Sequence, residues 1–295
     1  MLPENIHTWI GKEQTQFDVA TPATLARLAA LLDHAAAPWQ PETVPPLGHW
    51  LYAMEATPHS ELAQDGHPKL GQFLPPVPLP RRMWAAGELE FLAPIRAGEP
   101  LCKRSRIKSI EHKVGRSGEL VFVTVEHEVQ ASSRAVIFER QEIVYREKPG
   151  AGEPTGGKPI AAVPGQSSDP RAVEPPLPTP HWERKVCPDP MLLFRFSALT
   201  FNSHRIHYDR EYAVGIEGYP GLVVHGPLIA MLLVDLFLLN QPGRTVTRFQ
   251  FKAQEPVFDL QPFSIAGVDR GGGSAQLWAT RPDRRVAMRA ELSYT

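Results

Sequence analysis

Proline placement constrains this chain more than any other feature. Residues 149–190 hold eleven of its 31 prolines, together with Gly150, Gly152, Gly156, Gly157 and Gly165. Proline lacks an N–H donor and clashes within a helix, so such a stretch sustains neither a helix nor a central strand. It reads as a semi-extended linker. The linker separates residues 1–148 from residues 191–295, and each flank is large enough for its own core.

The two flanks share a pattern. Gly87–Leu101 reads GELEFLAPIRAGEPL and Phe249–Phe263 reads FQFKAQEPVFDLQPF. At an offset of 162 residues, Leu89 falls on Phe251, Pro94 on Pro256 and Pro100 on Pro262. In each, an alternating strand ends, proline marks a bend, and a second strand begins. The surrounding elements repeat the order helix, then strands, which points to a duplication. In the first flank Thr21–His34 has a Thr cap, Pro at the first helical position and Leu at helical spacing. Strands are expected at Trp84–Phe91, Leu101–Glu111, Leu120–Gln130 and Arg134–Arg146, the third alternating with period two. In the second flank Met191–Thr200 reads as a short helix, and Pro227–Leu239, apolar all round, as a helix buried on every side. Strands at Thr245–Lys252, Gln261–Asp269, Ala275–Thr280 and Arg285–Tyr294 follow. One very apolar helix followed by an antiparallel meander predicts a sheet wrapped around a helix.

Composition removes several functions. The net charge of -1 offers no basic surface for nucleic acid or an anionic membrane. The longest apolar run, Leu228–Leu239, is interrupted by Asp235 and falls short of the ~18 residues of a membrane span. Cys102 and Cys187 lie far apart and lack metal-type spacing, as in a reduced chain. The opening MLPENIHTWIGKE lacks the apolar region of a secretory signal, so a cytoplasmic protein is expected. GVDRGGGS lacks the lysine and helix of a phosphate loop and reads as a hairpin turn.

Chemistry concentrates in two segments. Ser197–Asp209, SALTFNSHRIHYD, carries Asn202, His204, Arg205, His207, Tyr208 and Asp209. Gly218–Pro227, GYPGLVVHGP, leads into the apolar helix. A helix N-terminus presents unpaired N–H groups and a positive dipole end, and Gly226 lets a substrate carbonyl approach them. This suits an oxyanion on a thioester or amide. A Gly-Pro serving only as a helix start is the alternative.

Together the segments resemble the MaoC-like hydratase and dehydratase superfamily. Its motif runs G-D-x-N-P-[LIV]-H, and Phe201–His207 fits that spacing, with Ile206 and His207 matching directly. ALTFNSHRIHYD, YPGLVVHGPL and DGHPKLGQFLPPVPLPRRMWAAG are similar to one branch, the mesaconyl-CoA and itaconyl-CoA hydratases and the fatty-acid-synthase-like 3-hydroxyacyl thioester dehydratases. The resemblance implies an α+β double hot-dog fold, two repeats each with an antiparallel sheet around a helix. It implies an acyl-CoA or acyl-carrier-protein thioester substrate, hydro-lyase chemistry and no cofactor, and allows a homodimer; no metal is expected, because His204 and His207 are three apart but no Cys- or Glu-rich partner segment supports a site. The first repeat, lacking the Asn-Ser-His-Arg-Ile-His segment, would shape the acyl pocket.

The match departs from the motif where its acid stands. Asn202 holds the Asp position and His204 the Asn position. An amide has no basic lone pair near neutral pH, so Asn202 can hold a water but cannot deprotonate it. The proton transfer falls to His207. Asp209 either orients His207 or replaces the carboxylate, and His204 is equally a structural donor. Gly226 is the expected oxyanion contact. Arg205, Tyr208 and His225 are expected substrate contacts, as are Arg81 and Arg82, which suit CoA phosphates or a substrate carboxylate. A straight-chain dehydratase, a hot-dog thioesterase and a non-catalytic thioester-binding protein are the rival readings. A central motif without Asp or Glu counts against the thioesterase.

Overall fold

Among the described residues every strand pairing is antiparallel, and ten strands make one sheet. The computed structural model describes residues 3–115, 118–147 and 176–295. The strands are β1 (Glu13–Val19), β2 (Arg81–Phe91), β3 (Pro100–Gly115), β4 (Gly118–Ala131), β5 (Arg134–Arg146), β6 (Trp182–Val186), β7 (Val246–Ala253), β8 (Phe263–Gly271), β9 (Ser274–Thr280) and β10 (Val286–Tyr294). Their spatial order is β1-β3-β4-β5-β2-β7-β10-β9-β8-β6. Read from its outer edge, each half runs first, third, fourth, fifth, second. The halves therefore share one strand order and join where β2 pairs with β7. That seam places Glu88 opposite Gln250, its own mate at the 162-residue offset. A pseudo-twofold axis thus passes through this pair. Packing across the seam explains Gly87: a side chain there would strike the ring of Phe251.

Helices α1 (Pro22–Leu31), α2 (Pro190–Leu199) and α3 (Gly226–Asn240) follow the same plan unequally. Thr21 and Asp189 cap α1 and α2 through side-chain oxygens, each with proline in the first turn. Every residue from Leu228 to Leu238 of α3 is buried, and the helix packs on β6, β8, β9 and β10. Each fully buried Leu, Ile or Phe contributes about 1.5–3 kcal/mol, so α3 organises the second half. Asp235 is the polar member of that buried run; it accepts from His34 at 2.6 Å and from Arg184 at 3.0 Å. Between α1 and β2 the first half holds, among the described residues, two 3-10 turns, Gly48–Leu51 and His59–Glu61, and no long helix; α1 packs on α2 and on the first of these turns. The concave face of the first half is left open.

The expected strands and helices are present, and the Gly271–Gly273 segment is the β8–β9 hairpin turn. Two edge strands depart from expectation. β6 lies inside the stretch read as linker, which is tolerated because an edge strand pairs on one side only. The linker reading of residues 149–175 lies outside the described residues. β1 escaped notice because its pattern is inverted: Gln14, Gln16 and Asp18 are the half-buried positions, while Phe17 is 77% exposed.

Candidate active site

One loop from each half meets at the mouth of the open concavity. The Ser203 hydroxyl donates to the carbonyl of Gly66, and the Arg205 N–H donates to the carbonyl of Asp65 at 2.8 Å. Gly66 has φ +89°, and a side chain there would strike the Ser203 carbonyl, so glycine is required. This seam brings Asp65 and His67 of the first half beside Asn202, His204 and His207 of the second. All five line a cavity of about 860 Å³ that continues into the first half.

His207 is buried at 8% exposure on a 3-10 turn, Arg205–His207. Its Nδ1–H donates to the Val223 carbonyl at 2.7 Å. A carbonyl only accepts, so Nδ1 carries the proton and Nε2 keeps a bare lone pair. Behind it lies His225, stacked at 3.7 Å between ring centroids and 19° between planes. The Nε2 of His225 shares a 2.9 Å hydrogen bond with Ser197 Oγ. Burial, and then the charge of His67, push His207 down to about 4, against the opposing Val223 hydrogen bond. At neutral pH it is a neutral imidazole able to accept a proton.

Asn202 Oδ1 accepts from the His204 N–H at 3.0 Å. Its oxygen is thus engaged, and the amide offers the cavity its NH₂ rather than an acceptor. Asp65 accepts from His67 through Nδ1 at 2.8 Å and through the backbone N–H at 3.0 Å. Burial raises the Asp65 carboxyl, but His67 outweighs it and holds the group at about 2. Burial and the nearby Arg82 push His67 down to about 4. The His67 and His204 rings lie 3.9 Å apart, and those of His204 and His207 are edge-on at 5.3 Å. Ligand atoms of Asp65, His67 and His204 lie within 4.8 Å of one another. The sequence expectation of no metal rested on a missing partner segment; Asp65 and His67 supply one, although the Asp65–His67 hydrogen bond already uses one nitrogen of the pair. Gly226 begins α3 at the cavity wall, with open space where a side chain would be.

Five of the expected residues line this cavity: Asn202, His207, Gly226, Arg81 and Arg82. Four do not. Arg205 binds Asp209 through Nε and Nη2 at 2.9 and 2.7 Å and lies over the Tyr212 ring. Asp209 also accepts from the Tyr212 N–H. It is therefore not the orienter of His207, a part taken by the Val223 carbonyl. Tyr208 is 42% exposed and donates to the Ser203 carbonyl. His225, 1% exposed, stacks behind His207 and does not line the cavity. Arg81 lines the cavity but is tied to Glu217 and lies 4.6 Å from the Tyr219 ring. Asp65 and His67 were visible in DGHPK, but only the fold shows that this segment meets the second half.

A sheet duplicated about a two-stranded seam, with one intact central helix and a histidine loop at its N-terminus, defines a double hot-dog protein. Solved structures agree in fold: a MaoC-like dehydratase from Phytophthora capsici superposes with TM-score 0.68 at 16% identity, covering 99% of this chain and 98% of that one. A double-hotdog protein from Mycobacterium tuberculosis gives TM-score 0.57 at 15% identity, over 97% and 96%. The profile of hydroxyacyl-thioester dehydratase type 2 matches residues 47–259, and the chain belongs to that family, hydro-lyases of acyl thioesters. Mesaconyl-C(4)-CoA hydratase of Chloroflexus aurantiacus is 44% identical over 285 residues, 96% of both chains. The mitochondrial hydroxyacyl-thioester dehydratase type 2 of Schizosaccharomyces pombe is 28% identical over 251 residues, 79% of each.

Proposed function

We propose that this enzyme hydrates a branched C5 dicarboxylic enoyl-CoA of the mesaconyl-C4 type. The observation that carries the chemistry is His207, neutral, with Nδ1 fixed on Val223 and Nε2 left to act in a cavity that also holds the start of α3. Water adds to the carbon β to the thioester, and His207 Nε2 takes its proton while the Asn202 NH₂ donates to its oxygen. Negative charge moves to the thioester oxygen, where the Gly226 N–H and the dipole of α3 receive it. The proton then passes to the α-carbon, so water is added across the double bond. His67, held by Asp65, is a second protonic group beside the same cavity.

The 44% identity with a mesaconyl-C(4)-CoA hydratase over nearly the whole of both chains supports the substrate class. Arg82, half-buried at the cavity wall, is assigned to the anionic CoA moiety. Two free cysteines fit a reducing, cytoplasmic setting. Mass-spectrometric identification of a hydrated thioester from mesaconyl-C4-CoA tests the reading. Release of free CoA without hydration, or preference for crotonyl-CoA by a large kcat/KM ratio, overturns it.

A further inference from the structure

The duplication supplies its own control for the acyl pocket. In the second half the concave face is apolar, with Ile265, Leu277, Met288 and Ala290 all buried under α3. The equivalent face of the first half has no long helix among the described residues and carries a polar row instead. Gln141 on β5, His127 on β4, Ser105 and Lys103 on β3 and Gln16 on β1 line the same cavity as His207. The row is organised: Ser105 Oγ and His127 Nδ1 are 2.8 Å apart, and His127 Nε2 and Gln141 Oε1 are 3.1 Å apart. With Nε2–H donating to Gln141, the glutamine presents its NH₂ to the cavity.

Two members lack partners. Among the described residues Gln16 Oε1 is buried with no hydrogen bond; being an acceptor it cannot meet an anion, so Gln16, opposite Lys103 in the β1–β3 register, would do so through its NH₂. Among the described residues Lys103 makes no hydrogen bond or ion pair. Burial lowers its ammonium, opposed by the charges of Glu139 and Glu55. Neither carboxylate neutralises it at contact: Glu139 is engaged by His49 and Trp50, and Glu55 is exposed at the wall. A half-buried cation without a contact partner is costly, and a hydrophobic lining would serve a plain alkyl chain better.

We infer that Lys103, with the amide NH₂ groups of Gln16 and Gln141, is a receptor for a carboxylate at the end of the acyl group away from the thioester. The enzyme thereby selects anionic acyl groups over apolar ones of equal length. This rests on the hydro-lyase reading of His207 and names the feature that sets its substrate class. Arg82 is a poorer choice, because its charge already acts on Asp65 and on the histidines.

The test measures kcat/KM of the unmodified enzyme, Lys103→Met, Lys103→Arg and Arg82→Met. The substrates are mesaconyl-C4-CoA, a longer ω-carboxy-2-enoyl-CoA and crotonyl-CoA. Lys103→Met should lower the ratio of carboxylated to crotonyl activity about 10–100-fold, the value of a hydrogen bond to a charged group, and Lys103→Arg should keep it. Each ratio is taken within one variant, so a partial loss of folded enzyme cancels. An unchanged ratio in Lys103→Met, or the same drop in Arg82→Met alone, overturns the inference while leaving C5 hydration standing. If the unmodified enzyme hydrates the longer carboxylated thioester but not mesaconyl-C4-CoA, the C5 reading fails and the receptor survives.

Discussion

Buried imidazoles make this protein acid-labile in a window that its carboxylates do not share. His207 falls from an ordinary 6.5 to about 4, chiefly through burial. The folded state therefore disfavours the protonated ring, and the unfolded chain binds the proton first. Stability is intact above pH 6.5 and is lost as pH falls towards 4. For His207 alone the loss at pH 4.5 is about 2.5 kcal/mol. His67 titrates in the same window, but its repulsion is already part of the His207 shift and is not counted again. Asp65 moves from 3.8 to about 2, so its contribution disappears only below pH 4. Glu142, raised by burial, works in the opposite direction. Urea unfolding of the unmodified protein and of His207→Gln at pH 7.0, 6.0, 5.0 and 4.5 separates these effects, since both share every group but one. The glutamine NH₂ retains a donor for the Val223 carbonyl. The unmodified protein should lose about 2.5 kcal/mol more than the variant between pH 7 and 4.5. Parallel stability curves would refute the reasoning, because His207 would then titrate alike in both states.

Three further outcomes follow. Gly226→Ala should keep its melting temperature, since a methyl there meets open space, yet lower kcat/KM at least tenfold by entering the cavity over the N–H donor; an unaltered kcat/KM would remove Gly226 from the site. Asp235→Ala should destabilise by about 3 kcal/mol in chemical denaturation, because it strips the buried partner of His34 and Arg184, and a change under 1 kcal/mol would contradict that role. Asn202→Asp should fold normally, as a carboxylate also accepts from the His204 N–H, but should lower kcat about tenfold or more in a steady-state assay, because an acceptor replaces the NH₂ that donates to the water. Turnover within about tenfold would show that the NH₂ donor is not needed.

The sequence carried the architecture because its signals were local and periodic. The paired prolines disclosed the duplication, and the 162-residue offset recurs in the structure as the Glu88–Gln250 pair. His207 and Asn202 stood out through the spacing of one motif, and Gly226 through the Gly-Pro start of an apolar helix. Long-range partners were invisible. Arg205 and Asp209 looked like site residues, but four residues of separation on a tight turn let them pair with each other. His225 looked exposed to substrate, yet as the residue that precedes α3 it is buried and stacked on His207. Lys103 lies in a strand whose alternation reads as ordinary surface against core. Only the reduced helix of the first half shows that its inward residues face a cavity.

The central claim is that one neutral imidazole, fixed by a backbone carbonyl, moves the proton during hydration. Steady-state rates of His207→Gln with an enoyl-CoA substrate, followed by loss of the enoyl thioester chromophore, test it most directly. The account predicts kcat lower by about 10²–10⁴-fold with KM little changed. Turnover near that of the unmodified enzyme, at the same pH, would contradict it and move the acid–base role to the Asp65–His67 pair.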